Sequence, residues 1–284
     1  MKKKVYIIAG PTACGKTKLS LDLAHKLNGQ IINADSIQVY EDVPLLTARP
    51  TIQEMQDIPH HLFGYLDAFA VCNAHDWLAR LPDLVDSIDT PIFVGGTGLY
   101  IKTLIEGLSP IPDIPDEIRS TVRQMTVSEL KKIVPKAKLT DPQRLMRAAE
   151  VLKTTGKSIE WWYEQPKKPV LKDVEFFKIV ILPEREKLYL QCNHRFEQMM
   201  EKGALHQVVE LLQKNPKKTG GVFQALGVSD LIDFIEAQKS LNKAIEHAQQ
   251  QTRNYAKRQM TWFRHQLDAD LLLEKAVLPK NFKG

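Results

Sequence analysis

The sequence predicts an α/β fold, a parallel sheet flanked by helices and built around a phosphate-binding loop, with a small helical insertion. Three observations carry this. The opening run Val5-Tyr6-Ile7-Ile8-Ala9 is continuously apolar and rich in β-branched residues, as in a strand buried on both faces. A glycine loop and a helix-spaced segment follow it at once, and Gln30 to Ala34 returns to strand character. A further apolar segment, Thr90 to Val94, ends in Gly95-Gly96-Thr97-Gly98, so the strand and helix alternation continues.

Taken in order, residues 16–28 place Leu19, Leu23, Ala24 and Leu27 at helical spacing, and Asn28-Gly29 supplies the stop. A helix is expected over 73–88 and another from Gly98 to about residue 107. Pro110, Pro112 and Pro115 each remove a helical donor, which marks a linker out of the core. The polar stretch 116–139 suits one or two short helices. Asp141-Pro142 then starts a stronger helix that ends near Gly156. Strand character returns at Phe176 to Leu182, the chain is mostly helical from 184, and Asp270 to Leu273 reads as a last strand. The expected organisation is an α/β core over 1–110 and 141–284, with the insertion at 111–140.

A chain of 284 residues with 43% hydrophobic and 26% charged side chains is globular, which excludes a disordered polypeptide. No apolar run approaches the ~20 residues of a bilayer-spanning helix. Met1-Lys2-Lys3-Lys4 followed by five apolar residues is too short for a secretory segment, so a cytoplasmic protein is expected. Cys14, Cys72 and Cys192 lack the spacing of a disulfide framework or a zinc site and read as reduced thiols. The net charge of +5 is uneven: residues 1–110 carry 9 basic and 12 acidic side chains, leaving 30 and 22, or +8, for 111–284. A basic second half suits either an anionic macromolecular partner or a solubilising lysine-rich surface.

Residues 10–17, GPTACGKT, fit the phosphate-loop pattern GxxxxGK(S/T) between a predicted strand and a predicted helix, which is the context that the pattern requires. Gly10 and Gly15 let the backbone turn so that successive N–H groups can face phosphate oxygens, with the helix N-terminus adding positive potential. Lys16 brings a full charge, and Thr17 offers a hydroxyl to Mg²⁺. The predicted core is therefore P-loop NTPase-like. An ordinary ATPase would hold its metal with an acidic residue at the end of another apolar strand, yet Pro91 to Val94 runs into glycines. No base-reading NKxD segment of a GTPase is present either, since Asn242-Lys243 continues into Ala244-Ile245.

Asp35 follows the second strand directly, where an open α/β sheet places ligands. It reads either as a turn aspartate or as a base that takes a proton from a second substrate. Ser36 and Gln38 beside it can hydrogen-bond an acceptor molecule. Thr97 stands at another strand end, either as a cap of a glycine-rich turn or as a donor into the same cavity. His60 and His61 have no third ligand at a supporting spacing and are expected to be structural. Trp262 is expected to pack.

Together with the phosphate loop, Asp35-Ser36-Ile37-Gln38-Val39-Tyr40, Thr47-Ala48-Arg49-Pro50, Pro59-His60-His61-Leu62, Gly95-Gly96-Thr97-Gly98-Leu99-Tyr100, Asp141-Pro142-Gln143-Arg144 and Ala256-Lys257-Arg258-Gln259-Met260-Thr261-Trp262-Phe263-Arg264 resemble the tRNA dimethylallyltransferases over residues 5 to about 265. The resemblance implies transfer of a dimethylallyl group from dimethylallyl diphosphate to N6 of the adenosine 3′ of the anticodon, in tRNAs reading codons that start with U. Gly10, Pro11, Thr12, Ala13, Cys14, Gly15, Lys16 and Thr17 would then hold a diphosphate leaving group with Mg²⁺ at Thr17. Asp35 and Thr97 would be catalytic. It further implies tRNA contacts at Asp35, Ser36, Ile37, Gln38 and Thr97, at Arg119, and at Gln143, Arg144, Leu145, Met146 and Arg147. The partners are the tRNA anticodon arm and dimethylallyl diphosphate, with no membrane, and a monomer is expected. The alternative is a P-loop small-molecule kinase with Asp35 as base. Three segments depart from the family's pattern: the stretch between Ser109-Pro110 and Asp141-Pro142 is short, Glu41 to Leu46 is acidic then apolar where glycines are usual, and Ala225 to Asp230 lacks the usual aromatic and basic residues.

Overall fold

The structure is a computed structural model and describes residues 2–135 and 139–282. Six strands are present among these: β1 (Lys3–Ala9), β2 (Gln30–Asn33), β3 (His60–His61), β4 (Pro91–Gly95), β5 (Val174–Ile181) and β6 (Leu271–Leu273). They form one sheet in the order β3-β2-β4-β1-β5-β6 with every pairing parallel. The register aligns three strand ends, with Ala9 opposite Gly95 and Asn33 opposite Val94. The loops after β1, β2 and β4 therefore leave the sheet side by side.

The helices, in chain order, are α1 (Lys16–Leu27), α2 (Pro44–Thr47), α3 (Ile52–Met55), α4 (Ala74–Leu78), α5 (Leu81–Asp86), α6 (Gly98–Glu106), α7 (Asp116–Arg123), α8 (Val127–Ile133), α9 (Pro142–Thr155), α10 (Ile159–Tyr163), α11 (Arg185–Glu201), α12 (Ala204–Lys214), α13 (Val228–Ile235) and α14 (Leu241–Gln266). The helix expected over 73–88 is two short ones. Pro82 at the start of α5 has no N–H to continue the ladder of α4. No helix among the described residues is long and apolar enough to cross a membrane.

Two compact units result, Met1–Ile105 with Val170–Gly284, and Glu106–Pro169. The second is wider than the 111–140 expected from the prolines, because α9 packs on α7 and α8 and buries Leu145, Ala148, Ala149 and Val151 there. Residues 136–138 of that expected insertion lie outside the described residues. In the first unit, the buried stretches of β1 and β4 are apolar, as is that of β2 up to Asn33, and one core joins α1 to the sheet through Leu19, Leu23, Ile8, Ile31 and Ile92. A second core is built by α11 to α14 with Val39, Tyr40, Val43 and Leu46. The departure after Tyr40 is accounted for here. Glu41 and Asp42 both pair with Lys214 at 3.0 Å, while Leu46 enters the second core.

Candidate active site

The three aligned loops open into a cavity of about 760 Å³ in the first unit. Thr12 to Thr17, Asp35 to Gln38, Val94 and Gly95 line it from the sheet, and residues of α11 and α14 line it from the helical side. Gly15 precedes α1 with φ +91, a left-handed conformation that glycine adopts without penalty. Gly10 and Pro11 are buried and do not line the cavity, and Pro11 has no N–H to give. Their carbonyls instead accept from Lys16 Nζ at 2.9 and 2.7 Å.

Asp35 is held by its neighbour Asn33, a fully buried residue at the end of β2. Asn33 Oδ1 accepts the Asp35 N–H at 2.9 Å, and its Nδ2 donates to the carbonyls of Asp35 and Leu62, both at 3.0 Å. Asp35 Oδ1 accepts the Ile37 N–H at 3.0 Å, a turn in which the aspartate side chain caps its own backbone. The two readings of Asp35 are thus compatible, since the turn uses Oδ1 and leaves Oδ2, which lies toward Gly96.

Thr97 is brought to the same place, but behind Ser36 and not on the cavity wall. Its Oγ1 accepts the Ser36 N–H at 2.9 Å and lies 3.2 Å from Ser36 Oγ. Gln38 lines the cavity, yet its amide nitrogen donates to the carbonyls of Thr47 and Ala48 at 3.2 and 3.1 Å, leaving only its oxygen for a base edge. Ile37 lines the cavity and also packs on the second core.

Four residues have no site role in the sequence reading, although Arg258 and Gln259 stand within a quoted motif. Arg195 on α11 lines the cavity and reaches Thr12 Oγ1 at 3.5 Å. Burial lowers its pKa, and the neighbouring Cys192 and Asp35 oppose that, so a guanidinium is kept where anions would sit. On α14, Tyr255 and Arg258 line the cavity. Burial, followed by the charge of Asp35, raises the pKa of Tyr255, which keeps its hydroxyl protonated. Buried Gln259 accepts the Thr12 N–H and donates to the Gly96 carbonyl, both at 2.8 Å. The signal for Arg195 and Gln259 was a polar residue inside an apolar helical stripe, with Leu188, Cys192 and Phe196 in one case and Ala256, Met260 and Phe263 in the other. Burial pushes the thiol of Cys192 up to about 11 and that of Cys14 also upward, so both are inert walls.

Arg119, Gln143, Arg144, Leu145, Met146 and Arg147 all belong to the second unit. Gln143 and Arg144 are exposed at the start of α9, where Asp141 caps the Arg144 N–H at 2.9 Å. Arg147 lies 3.5 Å from Glu150, and Arg119 Nε donates to the Ile114 carbonyl at 3.1 Å. Leu145 is fully buried and Met146, partly buried, packs on the same cluster. His60 Nδ1 lies 2.8 Å from the Ile58 carbonyl and His61 Nε2 2.8 Å from Gln30 Oε1, and no cluster of metal-ligating side chains exists among the described residues. Trp262 packs on Gly98, where an added Cβ would meet its ring at 2.5 Å.

Comparison with known proteins gives one consistent result. Residues 38–266 match the family model described as IPP transferase, and residues 3–71 match isopentenyl transferase. The tRNA dimethylallyltransferase of Rhizobium etli is 41% identical over 282 residues, covering 94% of this chain and 95% of that protein. The Zymomonas mobilis enzyme of the same name is 40% identical, covering 94% and 89%. Among solved structures, a eukaryotic dimethylallyltransferase acting on tRNA aligns with a TM-score of 0.81 at 28% identity, over 96% of this chain and 74% of its own. The tRNA isopentenylpyrophosphate transferase of Bacillus halodurans aligns with a TM-score of 0.73 at 32% identity, over 98% and 92%.

Proposed function

The chain belongs to the IPP transferase family, and from that premise we propose that it is a tRNA dimethylallyltransferase, moving the dimethylallyl group of dimethylallyl diphosphate to N6 of the adenosine 3′ of the anticodon. The observation that carries the reading is the single cavity in which the phosphate loop and Asp35 share one wall. An allylic diphosphate ionises when its leaving group is neutralised in place. Lys16, Arg195 and the amides from Ala13 to Thr17 bring positive potential to that part of the cavity.

Thr17 and Asp35 are poor ligands for a metal cage, and Asp35 is the only carboxylate among the described residues lining the cavity. That donor set suits Mg²⁺, which binds through one or two protein oxygens and otherwise through water and phosphate. When bound beside Thr17, the ion supplies charge neutralisation to the departing diphosphate.

The exocyclic amine is a weak nucleophile because its lone pair is delocalised into the purine. A carboxylate that orients it and takes its proton contributes about 10²–10⁴-fold. Asp35 Oδ2 is placed for this by the buried Asn33 and by the turn at Oδ1. The base must leave its stack to enter the cavity, and Ser36 with the oxygen of Gln38 borders the place where it would sit. Arg144, with other basic side chains of 111–284, supplies salt-sensitive phosphate contacts to the anticodon arm, and Gln143 beside it offers a neutral hydrogen-bonding group. We take the enzyme to act as a monomer in the cytoplasm, a setting with which the free thiols of Cys14, Cys72 and Cys192 agree.

Incubation with labelled dimethylallyl diphosphate and unmodified tRNA carrying adenosine at that site should yield prenylated RNA. ATP turnover with no prenylated RNA would instead favour a kinase.

A further inference from the structure

We propose that Gln259 is a positioning residue for the transfer, its carboxamide setting the separation between the phosphate loop and the turn that follows β4. Gln259 is 6% exposed, on the face of α14 that buries Ala256, Met260 and Phe263. A primary amide in such a place costs stability unless both its ends are bonded. Both are. Oε1 accepts from the Thr12 N–H of the loop, and Nε2 donates to the Gly96 carbonyl, each at 2.8 Å. The amide also touches Gly96 so closely that any Cβ there would collide with it, so the turn needs glycine because Gln259 is there.

The role is geometric because the Thr12 N–H that Gln259 takes is not also a donor to phosphate. What Gln259 joins are the two halves of the reaction. Thr12 begins the stretch of loop that borders the cavity, and Gly96 precedes Thr97, whose hydroxyl fixes Ser36 next to Asp35. Tyr255, one turn earlier on the same helix, lines the same cavity.

This inference rests on the transferase reading. In the transfer, the C1–O bond to diphosphate breaks, the C1–N6 bond forms and the N6 proton passes to Asp35. If the two loops drift apart, water takes the amine's place: C1 bonds to the water oxygen, a proton goes to solvent, and dimethylallyl alcohol leaves. Positions of this kind cost on the order of 10²-fold when misplaced by about 1 Å.

The test compares wild type, Gln259→Met and Gln259→Glu with dimethylallyl diphosphate and tRNA. For Gln259→Met we expect kcat to fall about 10²-fold, KM for the diphosphate to stay within about threefold, and the ratio of dimethylallyl alcohol to prenylated RNA to rise. In Gln259→Glu the carboxylate accepts from Thr12 but repels the Gly96 carbonyl. Its protonated form restores the donor, so its kcat relative to wild type should recover as pH is lowered, while that of Gln259→Met does not. A Gln259→Met enzyme with kcat within about threefold of wild type, or one whose loss follows only the folded fraction with an unchanged product ratio, overturns the proposal. A Gln259→Glu profile parallel to wild type does so too. Wild type that makes no prenylated RNA overturns the transferase reading and this inference together, whereas wild-type product with either of the other results overturns this inference alone.

Discussion

The cavity wall of the first unit and the exposed start of α9 in the second unit both carry polar residues that the sequence singles out, but they are built differently. Around the cavity, functional residues are tied down by hydrogen-bonded partners. Asn33 holds Asp35, Thr97 holds Ser36, and Gln259 holds Thr12 and Gly96. On α9, only the helix frame is fixed, by the Asp141 cap and by buried Leu145, while Gln143 and Arg144 stand in solvent. The difference suits the tasks proposed for the two regions. Bond making between two substrates tolerates errors well below 1 Å, whereas phosphate contacts act through screened charge and accept adjustable side chains.

Substitutions can break this contrast from either side. The largest effect is expected for Asp35→Ala, which should lower transfer by about 10²–10⁴-fold in single-turnover assays and leave tRNA affinity within a few fold. Comparable loss of RNA binding would mean that Asp35 grips and does not react. Next, Leu145→Ala should destabilise the second unit by about 2–5 kcal/mol, read by amide hydrogen exchange across residues 142–155, with exchange in β1 and α1 unchanged. Spread of the effect into β1 would deny the two units their separate cores.

A smaller effect is expected for Arg144→Ala. It should weaken tRNA binding and reduce the slope of log affinity against log salt by about 1, with kcat at saturating tRNA unchanged. An unchanged slope would remove this side chain from the phosphate contacts. The smallest concerns Cys192. Burial raises its pKa to about 11, so its thiolate fraction, and with it alkylation followed by mass spectrometry, should climb with pH and level off only near that value. A plateau near neutrality would show a thiol activated by Arg195 instead of one suppressed by burial.

What the sequence made legible follows the same division. The strands and the phosphate loop were readable because their information is local: an apolar run, two glycines, a lysine and a stop at Asn28-Gly29. Asp35 was placed correctly because a residue just after a parallel strand has few places to go. The partners that immobilise these residues were not readable, since Gln259 lies 247 positions from Thr12 and the bond between them depends on how α14 packs on the sheet. The second unit was drawn too small for a related reason. Its prolines mark where the chain leaves the core, but where it returns is decided by the buried face of α9, which has the same helical period whichever unit it joins. The segment from Gln143 to Arg147 resembles the family as a contiguous run, yet neighbours on a helix point to different sides, and Leu145 and Met146 turn toward a core.

The account depends most on both substrates meeting in the cavity beside Asp35. A crystal structure with an unreactive dimethylallyl diphosphate analogue and an anticodon stem-loop measures this directly. The account predicts the diphosphate on the loop from Thr12 to Thr17, and the extruded adenosine with N6 within hydrogen-bond reach of Asp35 and about 3–3.5 Å from the analogue's C1. An adenosine still stacked in its loop, or bound in a separate pocket with its N6 turned away from Asp35, would contradict it.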